Sequence, residues 1–150
     1  MKFITAVVVF SITFGFSTVL AGLFAENNQT GQKISSLLQE DIQNGQEMEE
    51  MYRFASSLDY AEAVSEYVAN SQAIDDTNLP ADFRFAWQAH MAAWRTHANF
   101  LNRSDCMRKR MSEEEISQIL IAQKYEIMTT WMNVLRIGIK YGAVIPPNAY

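Results

Sequence analysis

Between Phe83 and Leu101 the large side chains fall at Phe83, Trp87, His90, Trp94, His97 and Leu101, at spacings that alternate between four and three. Only an α-helix gathers residues so spaced onto one face, because its 3.6-residue turn comes back to the same side every three or four positions. Ala86, Ala89, Ala92 and Ala93 flank the stripe and allow a second helix to approach closely. Pro80 marks the first turn, where a missing N–H costs nothing. Thr77 or Asn78 is placed to cap it, and Asp82 lies near the positive end of the helix dipole. The helix predicted over residues 80–102 is roughly 33 Å long, at about 1.5 Å per residue.

The same period governs the chain on either side. Ile34, Leu37, Leu38 and Ile42 form one stripe, and Met48, Met51, Tyr52 and Ala55 another, with Asn44-Gly45 between them. That pair either ends a helix or is tolerated inside one at about 1 kcal/mol relative to Ala. Tyr60, Val64, Tyr67, Ser71 and Ile74 make a third stripe, with Asp59 as its N-cap, and Asp75-Asp76-Thr77-Asn78 breaks the pattern with turn-forming residues. Asn102 to Asp105 are expected to form a loop. Ser112 and Glu115 then spell a capping box, in which each side chain satisfies the other's free backbone donor. Ile116, Leu120, Ile127, Trp131, Leu135 and Ile139 carry the following helix to Tyr141, Gly142 caps it, and Pro146-Pro147 prevents a restart. No stretch beyond residue 25 alternates as a strand does. The expected fold is all-α: an N-terminal transmembrane or signal helix, followed by a three- to four-helix antiparallel bundle. The boundaries are 1–25 for the anchor or signal, 26–33 for a polar tether, 34–142 for the bundle and 143–150 for a tail.

The leader rests on the absence of charge from Phe3 to Ala25. A membrane span needs roughly 20 mostly apolar residues, and a lone span must be helical to pair its own amides. A signal peptide has a similar plan, and Ala21 and Ala25 each offer a small residue for cleavage. Both forms stay open, as a retained anchor or as a leader removed after export. In either, Lys2 before the segment and Glu26 after it place residues 26–150 outside the cytoplasm. The expected location is a single-pass membrane protein with a periplasmic or extracytoplasmic domain. That part carries eleven basic against seventeen acidic residues, a formal charge of −6. A nucleic-acid partner would need the opposite balance. The sole cysteine, Cys106, can close no disulfide within the chain and is expected to be a small buried apolar residue.

Chemistry-bearing residues are few. His90 and His97 lie on the tryptophan stripe and are the candidate metal or haem ligands. Seven residues apart, they are separated by about 10.5 Å along a helix, too far to share one ion without help. Helical chelation uses a spacing of four, or Glu-x-x-His, and Trp87 and Trp94 stand where those glutamates would be. Each histidine would need a ligand from another helix, such as Glu, Met or Cys106. The alternative is a pair of core histidines satisfied by hydrogen bonds. Glu113, Glu114 and Glu115 are explained by helix capping, and Glu47, Glu49 and Glu50 by a solvated helix face. No residue is expected to be catalytic. Arg103, Arg108, Lys109 and Arg110 stand close to Glu113–Glu115 and are expected to neutralise them.

The run from Leu79 through Pro80, Asp82, Phe83, Arg84, Trp87 and His90 to Trp94 resembles a segment of small uncharacterised bacterial exported or membrane-anchored helical proteins, as does the Tyr141-Gly142 close. The resemblance covers about a third of the chain. It implies a periplasmic setting and brings no activity or site residue. The expected function is a non-catalytic interaction or structural module, tethered to the membrane through residues 3–25, that engages a protein partner or its own copies. A metal- or haem-binding bundle using His90 and His97 is the alternative. No cofactor is expected on the first of these.

Overall fold

The computed structural model describes residues 29–53 and 57–149. The elements among them are all helical: α1 (Gln29–Tyr52), α2 (Ser57–Gln72), α3 (Ala81–Asn102), a short α4 (Ser104–Arg108) and α5 (Glu113–Lys140). The apolar segment 3–25, Ala55 and the side chain of Asp59 lie outside the described residues. No described helix is long and apolar enough to cross a membrane.

Local signals account for most helix ends. Ser112 caps α5 through its hydroxyl, which accepts from the Glu115 amide at 3.2 Å, while Glu115 accepts from the Ser112 amide at 2.7 Å. At the other end Gly142 takes φ 78°, a left-handed conformation that costs glycine little. Of the two alternatives at Asn44-Gly45 the structure has the tolerated pair, because the Ile34–Ile42 and Met48–Tyr52 stripes continue one helix. Helix α1 begins at Gln29, within the polar segment 26–33. Three expectations are corrected. Pro80 precedes α3 in extended conformation, φ −56° and ψ 145°, without a side-chain cap from Thr77 or Asn78. Ser104 and Asp105 open α4 instead of a loop, and Cys106 within it is exposed.

The four long helices run up and down in sequence order. α1 packs on α2, α2 on α3 and α3 on α5, while α1 and α5 touch sparsely. The α3–α5 pair is antiparallel, as Asp82, His90 and His97 meet Tyr141, Thr130 and Gln123 in turn. The α1–α5 contact lies at one end. There Gly31 is buried so tightly that a Cβ would sit 2.7 Å from the Tyr141 carbonyl and 2.8 Å from the Gly142 backbone. One turn on, Ile34 and Leu38 cover Gly138 of α5.

This closed end holds the core: Ile34, Leu38, Val64, Phe83, Trp87, Val134 and Leu135, all at most 2% exposed. Each such side chain contributes roughly 1.5–3 kcal/mol by leaving water. Residues 143–149 fold back along it. The Val144 amide donates to Ser35 Oγ at 2.9 Å, and the Trp131 indole donates to the Ala149 carbonyl at 2.7 Å. Towards the other end α1 and α5 part.

A candidate binding cleft between the first and last helices

Where α1 and α5 diverge, the tryptophan stripe that is core at the closed end becomes the wall of a cleft of about 950 Å³. Ile42, Gly45 and Met48 line it from α1, Tyr60 and Tyr67 from α2, Trp94 and His97 from α3, and Leu120, Ile127 and Trp131 from α5. Arg108 and Lys124 stand on it as cations, Glu49 as an anion. Ligand sites commonly measure about 300–1,000 Å³ and combine apolar walls with a few placed polar groups.

His90 and His97 both line the cleft and are 2% and 8% exposed. Their situations differ. The Trp94 indole can only donate, and it lies 3.2 Å from Nε2 of His90, so that nitrogen accepts. The proton of neutral His90 is therefore on Nδ1, which donates to Thr130 Oγ1 at 3.1 Å. Thr130 passes its own hydroxyl hydrogen to the carbonyls of Glu126 and Ile127, at 2.8 and 2.9 Å. Burial lowers the His90 pKa to about 4, so the ring is neutral and both its nitrogens are engaged. In His97, Nδ1 donates to Gln123 Oε1 at 3.0 Å. Its Nε2 has no partner among the described residues, and the ring forms part of the cleft wall between Trp94 and Tyr60.

A third polar group was not singled out in the sequence. Asp41, 4% exposed, accepts from the Tyr67 hydroxyl at 2.9 Å. Burial raises its carboxyl pKa to about 6, against the lowering effect of hydrogen bonds from Ser71 and Tyr67. Burial, followed by the charge of Asp41, holds the Tyr67 phenol well above its ordinary value. The Tyr67 ring packs edge-on against Trp94 at 4.7 Å. One signal pointed there: Asp41 follows Ile34, Leu37 and Leu38 at helical spacing, an acid set on an apolar face.

Among the described residues no three of His, Cys, Asp and Glu come together as a metal site. Among the described residues the one ion pair joins Lys140 to Asp82 at 2.8 Å, and Arg103, Arg108, Lys109 and Arg110 form none with Glu113–Glu115. No protein-family model matches the chain, and no curated protein or solved structure matches it.

Proposed function

We propose that the chain is an extracytoplasmic, membrane-tethered module that acts by binding and not by catalysis. Its cleft takes an apolar ligand whose hydrogen-bond donor meets Nε2 of His97. The observation that carries this reading is that nitrogen: set among aromatic rings on the cleft wall, oriented by Gln123, open to the cleft and without a protein partner among the described residues. A hydrogen bond made there by a ligand donor replaces one to cleft water and is worth a net contribution of about 0.5–1.5 kcal/mol. His90, Asp41 and Tyr67 are by contrast already committed inside the fold. Tethering and export rest on residues 3–25, with Lys2 before them and Glu26 after.

The same nitrogen favours a second reading, a haem cofactor. A bare ion would need several protein ligands, whereas porphyrin brings four of its own and requires one imidazole. An Nδ1–H held by a side-chain oxygen is how ligating histidines are commonly oriented. On this reading His97 would hold the iron, and His90, with both nitrogens engaged, would not.

Gly45 supplies the test. A Cβ there meets nothing nearer than the Tyr67 ring at 3.9 Å, so Gly45→Phe fills the cleft without a clash at its base. Full-length protein in lipid nanodiscs is titrated with 1-aminoanthracene, an apolar fluorophore with an N–H donor, and separately with haemin. Saturable dye binding, lost in Gly45→Phe and weakened roughly 2–13-fold in His97→Phe, is the expected result. A haemin Soret shift abolished by His97→Ala, without such dye binding, makes the cofactor reading the better one. Binding unchanged in Gly45→Phe overturns both.

A further inference from the structure

Helix α5 carries a second apolar face, separate from the one that packs on α3. Ile121, Tyr125, Met128, Met132 and Ile139 are 66%, 65%, 54%, 48% and 54% exposed. At 100° per residue they fall within an arc of about 60°. Their spacings of four, three, four and seven follow the heptad seam by which two helices pack side by side. Leu135, the seam position before Ile139, is turned into the core. α3 packs along α5, and α1 reaches only its closed end, so no described element covers this face.

The charges say what does. α5 starts with Glu113, Glu114 and Glu115 and carries Arg136 and Lys140 in its last turns. Glu115 is occupied by the capping box and Lys140 by Asp82. Glu114 and Arg136 have no ion pair among the described residues; Arg136 lies on the flank of the apolar stripe, and Glu114 continues the stripe one heptad before Ile121. A parallel pairing of two such helices would set acid beside acid and base beside base. An antiparallel pairing centred between Tyr125 and Met128 puts Ile121 opposite Met132 of the second copy and Tyr125 opposite its Met128. It also sets Glu114 opposite Ile139 of the second copy, about one turn from that copy's Arg136 and within reach of its long side chain, and opposes the two helix dipoles.

We infer that α5 is the self-association surface of this chain, and that two copies pair through it antiparallel about a twofold axis between Tyr125 and Met128. Met128, at the axis, also lines the cleft, while Ile121, Tyr125, Met132 and Ile139 stand outside it.

The test is disulfide trapping of full-length protein in its membrane, with Cys106→Ser as background. Ile121 and Met132 are eleven residues apart, about 16 Å along the helix, whereas a disulfide needs Cα atoms within about 7 Å. Chains with Ile121→Cys and chains with Met132→Cys, co-expressed under different tags, should therefore cross-link to each other, while Ile121→Cys alone should not. On that pair Glu114→Arg should cut the yield several-fold, and adding Arg136→Glu should restore it. Cross-linking of Ile121→Cys with itself means a parallel pair and overturns the inference. So does a yield indifferent to the charge swap, or no cross-link in any combination. All these positions are exposed in the single chain, so loss of fold does not imitate a negative result.

Discussion

His90 and Asp41 are both buried beside the same aromatic rings, and their proton equilibria are displaced in opposite directions. Asp41 holds its proton up to about pH 6 when folded, against 3.8 as the ordinary value. Its contribution to stability is full below about pH 4 and is lost as the pH rises through 6. His90 stays neutral down to about pH 4 when folded, against 6.5 ordinarily. Its contribution is full above pH 6.5 and is lost as the pH falls through 4. Each displacement is worth about 3 kcal/mol. Between pH 4 and 6.5 the two slopes nearly cancel, and urea midpoints of the parent should vary little there. Asp41→Asn removes one side of the balance, so that variant should lose about 3 kcal/mol on acidification across this interval. If parent and variant show the same slope, Asp41 is not buried as described. The sequence disclosed the histidines through their spacing. It did not disclose this opposition, because Tyr67 and Asp41 meet across 26 residues and Thr130 reaches His90 across 40.

Within the helices, two glycines of α1 should answer substitution with opposite signs. At Gly31 an added methyl meets the Tyr141 and Gly142 backbone, which cannot swing aside as a side chain would. Gly31→Ala should cost roughly 1–3 kcal/mol or more through overpacking. At Gly45 the same methyl enters open space, and Gly45→Ala should gain about 1 kcal/mol of helix propensity. Thermal denaturation of the pair checks this, and two stabilised variants would mean that α1 does not press on the start of the tail. Element type and most boundaries were legible, since the Phe83–Leu101 stripe, the Ser112 capping box and Gly142 act locally. The burial of Gly31 was not. Its sequence neighbours are polar, and the contact depends on residues more than a hundred positions away. The exposure of Cys106 was equally hidden, because α4 is a single short turn that borrows no apolar face.

Across the molecule, packing is graded from the closed end to the open one. Ile34 to Asp41 of α1 lie in the core region, whereas Met48 is half-buried and Glu49 to Tyr52 are exposed. Amide hydrogen exchange should show the gradient within this one helix, slow from Leu37 to Asp41 and faster from Gly45 to Tyr52. Uniform protection along α1 would mean that the cleft is closed in solution. The bundle was foreseeable from the periods, but the cleft was not, because nothing in the stripes says where two outer helices part. Pairing through α5, as inferred, sets the two α1 starts at opposite ends of the dimer. If residues 3–25 of both copies enter one bilayer, the bundles lie along its surface.

The contact at Gly31 also fixes a lever arm. From Gly31 to Met48 is about 25 Å along α1, so a tilt of only about 10° about that contact swings the Met48 end by roughly 4 Å, about the thickness of one aliphatic chain. The core side chains beside the pivot would scarcely move. Such a tilt would have to carry α2 along, since Tyr67 holds Asp41 and Asn44 holds Ser71 well beyond the pivot.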